Sequence, residues 1–391
     1  MPRAQPKMKV LPGQLKVLPG RRTLVTGAAG YIGSHTVRAL LGAGHYVVGI
    51  DNYSTSQREA LPVILKLPGA AERFVFVEGD CGDAELVQRV ITEHGLNSCI
   101  HFAAFANLRE SLSTAAWALT YYENNTAQAI GLLKGIEAAG GVKRFVFSST
   151  CCTYGDVPAE LMPITEETTT AGASGAYGKS KLAMEFLMND YFDATQKEGK
   201  EFGMTTLRYF NVAGCSADSV LGEARPQQIR IIPILMEAAL FPEKRPHVSI
   251  FGSDFPTRDG TAIRDYIHVE DLADAHITAL EKIDPSSGAR TLYNLGIGKG
   301  FTIKELIEST QRVSGKELTV KQAPRNPGEA AAVWCDPSKA NSELGWRPKF
   351  TEIDAILQTV HDFMKSHPKG YQQAEAAEAA AGGRAASKRK R

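Results

Sequence analysis

No stretch of this 391-residue sequence approaches 18 uninterrupted apolar residues, which excludes a membrane-spanning helix. Cysteine is sparse. Its six copies (Cys81, Cys99, Cys151, Cys152, Cys215 and Cys335) contain no C-x-x-C pair, so a disulfide-stapled scaffold is excluded. A chain of this length buries a core without staples, and adjacent cysteines such as Cys151 and Cys152 rarely bridge. Reduced thiols in an intracellular, cytoplasmic setting are expected, with no bound metal. Charge of one sign is lacking too: 44 Lys+Arg oppose 43 Asp+Glu, a net of +1. That balance is unevenly distributed. Residues 1–22 hold six basic residues and no acidic one, and residues 370–391 hold five against two. The intervening body therefore carries 1 − 6 − 3 = −8. Such a body is expected to avoid nucleic acid, leaving nonspecific polyanion binding to the tails.

What is present is an ordinary globular composition, 43% hydrophobic and 22% charged, long enough for two domains. Lys9-Val10-Leu11-Pro12-Gly13 recurs as Lys16-Val17-Leu18-Pro19-Gly20, and its Pro and Gly argue against a regular element. Residues 1–22 are read as a flexible basic extension. Their acid-free composition also fits a plastid or other organelle transit peptide, although Ser is missing. Residues 372–391 form an Ala-rich, low-complexity basic tail, read as solvated or as a nuclear address. Between the tails, Thr23–Thr26, Tyr46–Asp51, Phe74–Glu78, Ser98–Phe102, Arg144–Ser148 and Thr205–Phe210 read as strands. They are rich in Val, Ile and Phe without strict alternation, as expected of parallel strands buried on both faces. Helical patterns such as Ile32–Leu41 and Ala84–His94 separate them. This alternation predicts an α/β fold, a doubly wound parallel sheet of Rossmann type over residues 23–211. A smaller C-terminal α/β lobe follows over residues 212–371, with some segments returning to the first domain.

The first strand runs into Gly27-Ala28-Ala29-Gly30-Tyr31-Ile32-Gly33, and a helix follows. In that context glycines let the backbone approach a pyrophosphate on the helix N-terminus. Asp51, ending the second strand, would accept hydrogen bonds from the adenosine ribose hydroxyls and repel a 2′-phosphate, favouring NAD over NADP. Asp80 faces the adenine or caps the next helix.

The Gly-x-x-Gly-x-x-Gly spacing and Tyr177-Gly178-Lys179-Ser180-Lys181 resemble the extended short-chain dehydrogenases/reductases, which share a Tyr-x-x-x-Lys signature. Four residues apart on a helix, Tyr177 and Lys181 share a face. A free tyrosine titrates near pH ~10, so a base near neutrality needs a depression of roughly three units, about 4 kcal/mol. Lys181 and the positive nicotinamide ring are the expected sources, and Lys181 would also hold the nicotinamide ribose. Ser148-Ser149-Thr150 ends the preceding strand at the sheet edge where ligands bind. Thr150 is placed to hydrogen-bond the reacting sugar oxygen and share its proton with Tyr177. Ser149 is a second candidate, and strand capping is the plainer alternative.

From about Thr23 to Tyr371 the chain resembles the UDP-galactose 4-epimerase family, and most of all its plant branch that includes UDP-arabinose 4-epimerases. The resemblance rests on Val25 to His35, Asp51-Asn52, Ile100 to Ala104, Leu207 to Asn211, and Asp259 to Val269. It implies that Tyr177 takes the proton of the sugar 4-hydroxyl while C4 is oxidised by tightly held NAD+. The 4-keto sugar then turns about its diphosphate linkage and is reduced on its other face. It also implies a cofactor site of Gly27, Gly30, Tyr31, Ile32, Gly33, Asp51, Asn52, Ser56, Asp80, Cys81, Phe102, Ala103, Ala104, Asn124, Tyr177, Lys181 and Phe210. The implied sugar-nucleotide site comprises Thr150, Asn211, Arg230, Ile250, Phe251, Arg264, Arg325 and Glu329. UDP-glucose and UDP-galactose are the expected substrates, UDP-xylose and UDP-arabinose the alternative, and a homodimer through helices of the first domain the expected assembly.

Three departures from the family pattern stand out. In Arg325-Asn326-Pro327-Gly328-Glu329, Asn326 replaces a phosphate-binding Arg and Glu329 a ribose-binding Asp, with Arg325 available to compensate. Arg230 stands in place of the commoner Asn, and Thr150 in place of Ser, both as in the arabinose-type branch. Val333 occupies a position that gates bulky sugars. Arg264 either contacts the diphosphate or pairs with Asp259 or Asp265. Two competing readings are a 4,6-dehydratase or decarboxylase and a non-catalytic NAD-binding scaffold. The first is disfavoured because Cys151-Cys152 stand where a dehydratase of this fold has Asp-Glu. The second is disfavoured because Tyr177 and Lys181 are both retained. His101, His268 and Trp334 are read as packing residues, and no histidine has metal-ligand spacing.

Overall fold

Residues that alternate between opposite faces of a strand, and are apolar on both, can only sit in a sheet covered on both sides. The computed structural model, which describes residues 8–9, 21–170, 172–225, 227–326 and 329–371, has such a sheet. Its strands are β1 (Arg22–Thr26), β2 (Tyr46–Asp51), β3 (Phe74–Glu78), β4 (Ser98–His101), β5 (Arg144–Thr150), β6 (Gly203–Tyr209) and β7 (Arg290–Leu295). All seven run parallel, in the order β3-β2-β1-β4-β5-β6-β7. Leu24, Val48, Cys99 and Phe145 face one layer, with Val87, Leu132 and Met184. Their neighbours Val25, Val47, Ile100 and Val146 face the other, with Val37, Leu40 and Leu272. The helices behind these contacts are α1 (Tyr31–Gly42), α2 (Ala84–His94), α3 (Gln128–Ala139), α4 (Gly175–Lys197) and α5 (Val269–Lys282). Helices α2, α3 and α4 cover the first face, α1 and α5 the second.

The expected strands β1–β6 are all present, with ends displaced by one or two residues. β5 continues through Ser149 to Thr150, and β6 begins at Gly203 and stops at Tyr209. Helix α5 and strand β7 arise beyond Asn211, where the pattern turned irregular, and they complete the first sheet. The N-terminal extension departs from expectation at Met8–Lys9. These two residues pair antiparallel with Phe76 and Val77 on the outer edge of β3, whose unpaired backbone groups offer a ready partner. The rest of residues 1–20 and the tail 372–391 lie outside the described residues.

The second lobe is built on a small sheet of Asn211–Ala213, Ile263–His268, Gly300–Thr302 and Ala332–Val333. A parallel pair, Val248–Phe251 with Val320–Ala323, adjoins it. Helices Ile231–Leu240, Ile303–Ser314 and Ile353–Ser366 pack together on this lobe. Because β6 runs into Asn211 through a single residue, the lobe sits at the carboxyl edge of the large sheet and walls a cleft there. His101 and His268 are buried, the former bonded to Thr26 Oγ1 at 2.7 Å, the latter stacked on Phe350 at 3.8 Å. Among the described residues no group of His, Cys, Asp or Glu is arranged to hold a metal, and no helix is long and apolar enough to cross a membrane.

Candidate active site

Steric demands at the end of β1 define the cleft. Gly27 has φ +71°, and a Cβ there would meet the Ala103 nitrogen at 2.9 Å. At Gly33 a Cβ would stand 2.0 Å from the Gly27 carbonyl oxygen. Only glycine satisfies both positions, and the turn that results presents backbone N–H groups and the start of α1 to the cleft. Beside it, the carboxylate of Asp51 accepts hydrogen bonds from Ala29 N (3.0 Å), Tyr53 N (2.8 Å) and Ser56 Oγ (2.7 Å). Burial raises its pKa, and those three bonds work in the opposite direction. The cradle and the fixed acceptor at the end of β2 fit a dinucleotide diphosphate and its ribose.

The same cleft is lined by Gly27, Gly30, Tyr31, Ile32, Gly33, Asp51, Asn52, Ser56, Asp80, Cys81, Phe102, Ala103, Ala104, Asn124, Tyr177, Lys181 and Arg230. Asp80 accepts hydrogen bonds from Gly82 N and Gln128 Nε2, while Asp83 caps α2, so the capping alternative for Asp80 does not hold. Phe210 is not on the wall. It is buried with Tyr154, Val157, Ile164 and Cys335 behind it. Tyr209, within the Leu207–Asn211 motif, lines the cleft as well, as do Gln128 and Arg225, which no sequence motif singled out.

Helix α4 brings Tyr177 and Lys181 to the cleft floor, where both are buried. Lys181 Nζ donates to the Ser148 carbonyl at 2.8 Å and lies 5.0 Å from the Phe147 ring centre. Burial lowers its pKa to about 7, opposed by Glu185. The phenol of Tyr177 packs edge-on against Tyr121, and the Thr150 hydroxyl is among the groups that act on it. Burial pushes the Tyr177 phenol well above its ordinary value, and the Tyr209 and Cys152 side chains add to that; the Thr150 hydroxyl works the other way. Thr150 Oγ1 also accepts from Cys152 N at 3.2 Å. Ser149 does not face the reaction: it donates to Glu185, which also holds Arg208 through Nε (3.0 Å) and Nη2 (2.5 Å). That buried pair ties α4 to β6, and Arg208 lies over the Tyr154 ring. Its residues stand 23 apart in sequence, beyond the reach of helical or strand spacing.

The remaining substrate-side candidates do not line this cleft. Asn211 begins the first strand of the second lobe, and Ile250 is buried in the Val248–Phe251 strand. Phe251 is 38% exposed with the Arg109 guanidinium 5.1 Å from its ring centre. Arg264 pairs with neither Asp259 nor Asp265. It meets Glu329 at 3.5 Å, and Glu329 accepts from Asn326 Nδ2 at 2.6 Å. Val333 lies directly opposite Arg264 in the small sheet. Arg325 points away, to Asp254 Oδ1 at 2.7 Å and over the Phe255 ring at 4.0 Å. With a carboxylate and an aromatic face nearby, the Arg325 cation is satisfied locally.

Residues 23–296 match the NAD dependent epimerase/dehydratase family. The chain is 38% identical to UDP-glucose 4-epimerase of Lacticaseibacillus casei over 89% of this chain and 98% of that one. It is equally, 38%, identical to UDP-arabinose 4-epimerase 1 of Arabidopsis thaliana, over 89% and 80%. The crystal structure of UDP-glucose 4-epimerase from Bifidobacterium longum in complex with NAD+ and UDP superposes with a TM-score of 0.80 at 36% identity, covering 89% of this chain and 99% of that one. With the glycine cradle, Asp51 and the Tyr177–Lys181 pair in one cleft, the chain belongs to the NAD dependent epimerase/dehydratase family.

Proposed function

We propose that this protein is a NAD-dependent UDP-sugar 4-epimerase that interconverts UDP-glucose and UDP-galactose. The observation that carries this reading is that Tyr177 and Lys181 line the cleft that the glycine turn and Asp51 prepare, with Thr150 ending β5. NAD+ bound there supplies a reversible two-electron oxidant for the sugar C4 and a positive ring that favours the tyrosine's ionised form. The protein's own groups then handle protons and orientation. Tyr177 Oη takes the proton of the sugar 4-hydroxyl and later returns it. Thr150, whose hydroxyl acts on that phenol, steadies the sugar oxygen during the transfer. Lys181, with its ammonium nitrogen anchored on the Ser148 carbonyl, holds the nicotinamide ribose and shares the proton relay. Asp51 orients the adenosine ribose. The reaction needs a firmly anchored nucleotide and a loosely held sugar so that both faces of C4 reach the cofactor; Asn211, Arg264 and Glu329 in the second lobe supply the anchor.

A second reading, interconversion of UDP-xylose and UDP-arabinose, is supported by the equal identity to the Arabidopsis enzyme. Incubation with UDP-glucose, UDP-galactose, UDP-xylose and UDP-arabinose, scored for 4-epimers, separates the two. Turnover is expected with the hexose pair. Turnover confined to the pentoses would reassign the substrate, and no 4-epimer from any of them would leave a non-catalytic NAD-binding protein.

The cytoplasm is the compartment we propose, supported by six cysteines that are all free thiols. The working form is a homodimer through α3, α4 and the helix Ala115–Tyr121. Leu119 is 73% exposed and Phe186 60%, a cost in water that a partner surface removes. Leu119→Asp with Phe186→Asp is expected to convert a dimer to a monomer by light scattering while melting stays within a few degrees. A wild-type monomer at micromolar concentration sinks the dimer.

A further inference from the structure

The loop between Ala213 and the helix Ile231–Leu240 holds three charged residues whose arrangement no motif anticipates. The buried carboxylate of Glu223 receives two guanidinium groups on one oxygen, Arg225 Nε at 3.0 Å and Arg230 Nη1 at 2.9 Å. Two cations on one anion leave a local charge of +1 in a protein body that carries −8. Both arginines border the dinucleotide cleft, and the Arg230 guanidinium lies 5.4 Å from the ring centre of Tyr31 in the glycine turn. Arg225 also borders an adjoining depression with Gly30, Ser34 and Ser56. Glu110 and Tyr121, from the segment between β4 and β5, lie within electrostatic reach of Arg225. Each guanidinium keeps donors beyond the one spent on Glu223, in a fork that suits phosphate oxygens. Arg325, first expected to help hold a diphosphate, is engaged on Asp254.

We propose that Arg225, mounted with Arg230 on Glu223, is a diphosphate clamp that reaches from the second lobe across the mouth of the dinucleotide cleft. Its neighbours Gly30, Tyr31 and Ser56 belong to the cofactor side, so the diphosphate of NAD is the favoured ligand. The diphosphate of the sugar nucleotide is the other source of the same chemistry. The inference rests on the reading of the cleft as a NAD site, and it makes cofactor retention a property of both lobes rather than of the glycine turn alone.

The test measures NAD content after exhaustive dialysis and the NAD Kd by titration calorimetry, for wild type, Arg225→Gln and Arg225→Lys. KM for UDP-glucose at saturating NAD forms a separate arm. Arg225→Gln is expected to weaken NAD binding about tenfold, or about 1.4 kcal/mol. The difference should shrink toward about 0.5 M salt, where ionic attraction is screened, and Arg225→Lys should recover most of it. A tenfold rise in KM with NAD affinity unchanged assigns the clamp to the sugar nucleotide and still supports it. NAD affinity and KM both within twofold of wild type, in a variant with unaltered melting, overturn it. Should Arg225→Gln melt early, Arg225→Lys and the salt dependence decide alone. A wild-type protein that binds no NAD sinks the site reading itself, a result distinct from loss of the clamp.

Discussion

Tyr177→Phe is expected to lower 4-epimerisation by roughly 10²- to 10⁴-fold, the usual range for a positioned acid–base group, while NAD remains bound. Phenylalanine keeps the ring against Tyr121 and removes only the hydroxyl on which Thr150 acts. The cradle at Gly27 and Gly33 and the acceptor Asp51 lie on other elements and are untouched. The effect therefore belongs in kcat, with NAD content after gel filtration equal to wild type. The environment of the phenol sharpens this expectation. Burial holds it protonated in the protein alone, so its ionised form depends on charge brought by the bound ligand. Turnover within tenfold of wild type in the phenylalanine variant would falsify the assignment of the base.

Glu185→Ala is expected to destabilise the protein by about 3–5 kcal/mol, the cost of leaving one partner of a buried ion pair uncompensated. Both Glu185 and Arg208 are buried, and the carboxylate also takes the Ser149 hydroxyl. Burial works against the charge on Arg208, and hydrogen bonding to Glu185 restores it, with a net pKa above the ordinary value. Removing the carboxylate leaves a guanidinium with an aromatic face and no anion. Urea denaturation measures the loss. The double change Glu185→Leu with Arg208→Met should be markedly milder than Glu185→Ala, because hydrophobic replacement of a whole buried pair is often near neutral. A cost below about 1 kcal/mol for the single change would remove the pair from the structural account. A side effect on catalysis is also expected, since α4 carries Tyr177 and β5 carries Thr150, and Glu185 with Ser149 and Arg208 joins α4 to β5 and β6.

Much of this protein is legible in local sequence. The strands β1–β6 lie within two residues of where their apolar runs predict them, and the glycine spacing before α1 marks the cleft. Strand β7 and helix α5 escaped that reading because nothing in Val269–Leu295 says which sheet the segment joins; only the open edge of β6 and the face beside α1 decide it. Met8–Lys9 illustrates the same point, since a short segment with poor propensity pairs where an edge is free. At the site, Ser149 and Arg325 carry the right chemistry in the right neighbourhood, yet their side chains are satisfied by Glu185 and Asp254.

Local sequence is enough to specify the doubly wound sheet, the glycine turn with Asp51, and the pairing of Tyr177 with Lys181. Each rests on short-range physics: the two-residue period of strands, the steric limit on a Cβ, and the four-residue turn of a helix. Which charges meet is set by the packing of the lobes. Glu185 joins Arg208, Arg264 joins Glu329, and Glu223 gathers Arg225 and Arg230 at the cleft. Coulombic attraction carries no periodicity along a chain, and its strength depends on burial that is set when the lobes pack. The same burial gave Lys181 a pKa of about 7 and held Tyr177 protonated, a state that four-residue spacing could not foretell.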